Sequence, residues 1–366
     1  MTGRKLMTVG LGIVLVTATV TIGISGTSTA STAPTGVSGS FHGKFAVLHT
    51  AKSDAENPLS GIPTSTFHYT YKSVTYRETF VGGSPKLGLS TSVPTYLIPI
   101  KLNYGTFVTD PTAPIGGGNS AVKQTKDSPI FHSSIDFVQG GTDLGTTQYI
   151  DAFQRAALWG MVKSHPTYHV LLGKPTVEPV QSVTVPTANG SLLTYNGATI
   201  ILANINWFDS VAQAKLSSLS LPADSLPIFV TTQAFLSSNS GSSGCCIGGY
   251  HSFNGTYAYS EFSYLQKSGD FSQDVSALSH EIGEYVDDPY TDNTDIPSSC
   301  GSSAYEVGDP LENDANFGDY PYTVGGFTYH LQDLVLPPYF GAPAATSVNG
   351  WDTFQGTPLS VCQNGG

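Results

Sequence analysis

The sequence predicts an α+β fold: a mixed, twisted sheet followed by one helix that carries the functional residues, with an irregular β-rich region ahead of both. Three observations predict it. Short apolar and aromatic stretches with period-two alternation recur between residues 95 and 264. Two segments, 147–163 and 271–288, instead place their apolar residues at helical spacing. The 366 residues include 40 Gly, 23 Pro, 19 Tyr and 18 Phe, and only 11% are charged, a composition that argues against a helical bundle or a disordered chain.

Taken in order, residues 1–33 read as an export signal. Arg4 and Lys5 form a positive start, residues 6–24 are an uncharged apolar run, and Ser28-Thr29-Ala30 or Ser31-Thr32-Ala33 offers a small-residue cleavage site. An uncleaved anchor is the alternative, because the run is nearly long enough to span a bilayer. The remainder is expected to be secreted or periplasmic, with no stable membrane span after cleavage and with association to the cell envelope left open. Residues 34–90, rich in Ser, Thr, Pro and Gly, read as a leader followed by short strands such as 67–71. Whether they form a propeptide also stays open.

Residues 91–366 form the α+β domain. Strands are expected at 95–102, 168–172, 182–185, 198–205, 226–232 and 256–264, and a short helix near 210–216. Ile150, Phe153, Ala157, Leu158 and Met161 give 147–163 its helical stripe. The helix at 271–288 has Val275, Leu278, Ile282 and Val286 as its apolar face, Asp274 or Ser272 as N-cap, and Pro289 as its stop. The Gly- and aromatic-rich tail from 325 is expected to pack on this domain as strands and loops.

That last helix carries Ser279-His280-Glu281-Ile282-Gly283-Glu284-Tyr285. His280 and Glu284 lie one turn apart on one face, so an imidazole and a carboxylate can converge on one cation. Glu281, rotated by about 100°, comes back near the same face, where it can take a proton from a metal-bound water. In a chain with so few charges, this concentration is not background composition.

The motif resembles the zinc helix of the zincin metallopeptidases, His-Glu-x-x-His, with Glu284 where the second histidine belongs. The resemblance implies a zincin-like metal domain that binds Zn2+, or another divalent ion given the extra carboxylate, and hydrolyses protein or peptide substrates with Glu281 as general base. It further implies a downstream glutamate as third ligand and an aspartate that orients the first histidine. Tyr305-Glu306-Val307-Gly308-Asp309 supplies both, with Glu306 as ligand and Asp309 on the free N–H of His280, or the two exchanged. A looser similarity is to the phosphate-induced, Exordium-like extracellular proteins. It rests on Cys245-Cys246-Ile247-Gly248-Gly249-Tyr250-His251 ahead of the helix and on the Gly- and aromatic-rich tail. That scaffold need not be catalytic.

His330, Tyr329 and His251 are the donors available to stabilise an oxyanion, with His330 taken as a catalytic candidate. A purely structural metal site would instead be closed by a fourth ligand such as His251 or His330. His165 and His169 are four apart, but Pro166 breaks the helix that would align them. The acidic stretch 287–295 could take Ca2+, yet it lacks calcium-loop spacing and reads better as a solvated turn. Four cysteines in an exported chain suggest two disulfides, with Cys245 and Cys246 each reaching Cys300 or Cys362 because adjacent cysteines rarely pair. A formal net charge of −12 makes nucleic acid an improbable partner. The sequence therefore points to a secreted metal-dependent hydrolase, with a non-catalytic extracellular or cell-surface binding protein, its metal site structural or lost, as the alternative.

Overall fold

Leu226–Thr232, Leu-Pro-Ile-Phe-Val-Thr-Thr, is buried at every position, so it requires cover on both faces. A computed structural model supplies that cover. It describes residues 44–48, 61–71, 73–139, 142–239, 241–293, 306–312, 315–336, 347–348 and 351–357, all within one unit spanning Gly36–Gly366. The export signal with its cleavage sites, Cys300, Cys362, and positions 294–295 of the acidic stretch lie outside the described residues.

Among the described residues, eleven strands pair into one curled, mixed sheet. Its main path runs Thr176–Val177, Thr95–Tyr104, Leu226–Thr232, Ala258–Tyr264, Ile247–Phe253, Ala234–Ser237, Ala198–Asn204 and Gly190–Tyr195. Ile247–Phe253 and the terminal Gly190–Tyr195 run antiparallel to their neighbours on this path. Lys44–Leu48 pairs in parallel with Ile247–Phe253, setting Val47 opposite His251. The strand that carries His251 is therefore flanked within the sheet.

Alternation along the strands divides the apolar residues between two cores. Leu97, Ile200, Leu202, Ile228 and Val230 face one; Ile98, Ile100, Ile201, Ala203 and Phe229 face the other. The second core is closed by helix Ile205–Leu219 through Phe208, Ala212 and Leu216. The first is closed by helices Tyr149–Ala157 and Ser276–Asp287, with the hairpin Thr64–Tyr71 and Val74–Val81 contributing Phe80 and Val81. Asn293 ties that hairpin to the second of these helices, bonding the backbone of Thr79 and the carbonyl of Asp287. No helix of the described residues is long and apolar enough to cross a membrane.

Several boundaries differ from the sequence expectation. The helix expected at 147–163 breaks at Leu158 into Tyr149–Ala157 and Trp159–Val162. The short helix at 210–216 is longer, Ile205–Leu219, because the Asn204 side chain caps Trp207 N at 3.0 Å and starts it directly after the strand. The helix at 271–288 is Ser276–Asp287, five residues shorter at its start. Neither expected cap acts as one: the Ser272 hydroxyl donates to the Ser263 carbonyl, and Asp274, at φ 45°, turns its carboxylate to His330.

Candidate metal centre

All twelve residues of Ser276–Asp287 are buried, so the face carrying His280, Glu281 and Glu284 points into protein just as the apolar stripe does. The polar face meets Ile247–Phe253 from the sheet, the Glu306–Leu311 loop and the strand Phe327–Gln332. Glu284 stands at the centre. Its Oε1 lies 2.9 Å from His280 Nε2, and its Oε2 lies 3.2 Å from His251 Nδ1. Glu281 Oε2 is 3.4 Å from the same His251 nitrogen, and Asp309 Oδ1 is 3.6 Å from His280 Nε2. Glu306 adjoins Glu284. Asp309, whose side chain keeps 33% of its exposure, marks the solvent side, whereas His251, His280, Glu281 and Glu284 are exposed by 2% or less.

The role that the resemblance gave to Asp309 falls to another residue. His280 Nδ1 faces Gln332 Oε1 at 2.6 Å, and the Gln332 amide nitrogen donates to Phe317 O, which fixes the amide orientation. His280 thereby keeps a proton on Nδ1, with Nε2 toward Glu284 and Asp309. Asp309 thus lies on the Nε2 side of the ring, beside Glu284. Ser279 Oγ accepts from Gln332 N at 2.8 Å and locks strand to helix.

Two glycines make the arrangement possible. A Cβ on Gly308 would sit 2.2 Å from His280 Nδ1, and one on Gly249 would sit 2.9 Å from Glu281 Oε1. Their backbones approach where any side chain would displace a site residue.

His330 is placed elsewhere. Its Nδ1 lies 2.7 Å from Asp274 Oδ2 and its backbone N–H bonds Asp274 Oδ1, at the start of the helix. None of its hydrogen bonds reaches the group around Glu284. Tyr329, buried, stacks edge-on with Phe327. In the stretch considered for calcium, Asp288 Oδ1 accepts from Asp292 N and Asn293 N and closes a turn. Cys245 and Cys246 bring their sulfurs together, while the partners expected for them are outside the described residues.

The electrostatics expose an imbalance. Burial pushes the Glu281, Glu306 and Asp309 carboxyls well above the usual range, and the charge on Glu284 pushes each further. Burial would raise Glu284 too, but His280 and His251 outweigh it and hold that carboxyl down at about 2. His280 is pulled down by burial and pushed up more strongly by Glu284, to about 9. Both nitrogens of His251, both carboxylate oxygens of Glu281 and Glu306 Oε2 are buried with no hydrogen bond of good geometry, although His251 Nδ1 lies at ion-pair distance from Glu281 and Glu284. Unpartnered buried polar atoms cost about 1–3 kcal/mol each, so converging several is unfavourable unless something binds them. A divalent cation fits: ligand atoms at about 2.1 Å from zinc stand about 3.4 Å apart in a tetrahedron, against contacts here of 2.9–3.6 Å. His280, Glu284 and Asp309 form one set of donors lying within 4.8 Å of one another.

No family model, curated protein or solved structure matches the chain. The functional reading accordingly rests on the site itself.

Proposed function

We propose that this chain is a secreted, metal-dependent hydrolase of zincin-like type, acting on protein or peptide substrates. His280, Glu284 and Asp309 hold a divalent ion, zinc first among candidates, with Glu306 beside Glu284 as a further acidic donor. When bound, such an ion supplies Lewis acidity and lowers the pKa of a coordinated water. Glu281, one residue from His280 and without another hydrogen-bond partner, accepts the proton. Gln332 orients His280, and the solvent side at Asp309 is the route of entry. The observation that carries this reading is the group of buried, unpartnered donors around Glu284. A wholly apolar or neutral network would occupy the same volume at lower free-energy cost.

A second reading is favoured by the burial of His280, Glu281 and Glu284 and by the flanked His251 strand. In it, the chain is a non-catalytic extracellular binding protein with a structural ion. One experiment separates the two: elemental analysis of the purified chain beside His280→Ala and Glu281→Gln, each assayed on an unstructured protein substrate. Metal lost with His280→Ala, and turnover lost with Glu281→Gln while at least one ion per chain stays, is the hydrolase result. Stoichiometric metal without turnover in the parent chain supports the structural reading, and absence of metal after purification without chelators would sink both.

A further inference from the structure

The donors around Glu284 fall into two sets. His280 Nε2, Glu284 and Asp309 form one; His251, Glu281 and Glu284 form the other, again with donor atoms within 4.8 Å of one another. No such set among the described residues contains both imidazoles. Two ligands of one small cation stand about 3.4 Å apart in a tetrahedral shell, and about 4.2 Å apart at most, given metal–ligand lengths of about 2.1 Å. His251 is therefore not placed as the fourth ligand of the ion held by His280.

We propose that the centre holds a second divalent cation, bound by His251 Nδ1, Glu281 Oε2 and Glu284 Oε2, with Glu284 bridging the two positions. The proposal rests on the metal reading above and extends it. Glu284 already divides its oxygens, Oε1 toward His280 at 2.9 Å and Oε2 toward His251 at 3.2 Å, as a bridging carboxylate does between ions about 3.5–4 Å apart. The second set closes with Glu281 Oε2 at 3.4 Å from His251 Nδ1. Two of its members, His251 and Glu281, both at most 2% exposed, bring to it nitrogens and oxygens with no hydrogen bond.

The number of donors supports the same count. Glu281, Glu284, Glu306 and Asp309 gather four carboxyl groups around two imidazoles, more ligands than one tetrahedral ion takes. Mixed imidazole and carboxylate donors suit zinc or manganese better than calcium, which takes six to eight oxygens. Filling the second position makes Glu281 a ligand and withdraws it as a base, so the second ion would restrain the hydrolase that the first one enables.

The test is metal counting on the purified chain, stripped with chelator and titrated with zinc and, separately, with manganese. Bound metal is measured by elemental mass spectrometry after desalting, with circular dichroism confirming the fold of each variant. Two ions per chain are expected, falling to one in His251→Ala and in Glu281→Gln. Saturation of the parent chain at one ion overturns the second position and leaves the first intact. Two ions retained in Glu281→Gln also overturn it, and that near-isosteric change decides the matter if His251→Ala does not fold. No bound ion in the parent chain would mean that the underlying metal reading had failed.

Discussion

Tyr250 and His251 are consecutive residues of one strand and so point to opposite faces of the sheet, each toward carboxylates. On one face Asp209 is fully provided for: Tyr250 and Tyr259 donate their hydroxyls to Oδ1 at 3.2 and 2.5 Å, and Gln213 donates to Oδ2 at 2.6 Å. On the other face, Glu281 and Glu284 meet only imidazoles and further carboxylates, and several of their oxygens have no partner. Where the fold uses a carboxylate for its own stability it brings O–H and N–H donors to it. Where it gathers carboxyls and imidazoles with few other donors, it leaves the kind of group that the proposed cation would complete.

This contrast can be broken experimentally, and the largest effect is expected from chelation. An ion present at about 1,000 times its dissociation constant stabilises the folded state by about 4 kcal/mol. In a chain of this size its removal should lower the thermal midpoint by on the order of 10 °C, while His280→Ala should show the lower midpoint with or without chelator. Equal midpoints for the parent chain before and after chelation would remove the cation from the comparison. Gly308→Ala comes next, since its Cβ would overlap His280. A loss of about 1–3 kcal/mol is expected from such overpacking, together with weaker metal binding in a titration.

Asp209→Ala, on the provided-for face, should cost about 1–3 kcal/mol in denaturant unfolding because two phenols lose their acceptor. It should leave metal content unchanged, and a loss of metal there would erase the distinction between the faces. The pH-dependent effect concerns Glu261, whose carboxyl burial pushes up to about 8 against the opposing hydrogen bond from Thr231. The folded state keeps that proton where the unfolded chain, near pH 4.3, has lost it. Its contribution is therefore complete at low pH and disappears as pH rises from about 4 through 8, at no more than about 1.4 kcal/mol per pH unit. Glu261→Gln should flatten that slope in unfolding curves measured between pH 5 and 9.

Local pattern made part of this legible. The apolar run 226–232 and the stripe of Val275, Leu278, Ile282 and Val286 state their burial in sequence, and the structure buries all of them. His280, Glu281 and Glu284 could be read together because helical spacing places them together. The helix start could not be read, because Ser272 and Asp274 have the chemistry of caps while their actual partners, Ser263 and His330, lie on two strands outside the helix. Gln332 was illegible for the same reason: an amide that meets His280 from fifty-two residues away leaves no trace in spacing. Gly249 and Gly308 were a usable signal, each lying within two residues of a site residue, His251 or Asp309, and each marking a place where backbone passes close to another site side chain.

The loop from Glu306 to Leu311 is fastened from behind, since Val335 N donates to Val307 O at 2.8 Å, and Gln332 braces His280 from the same C-terminal segment. The carboxylates of the helix are made first and their organiser last. A chain ending before residue 327 would hold the acidic face of the helix without the strand that orients its histidine. A cluster begun at residue 280 is thus completed only by a residue fifty-two positions later in the chain.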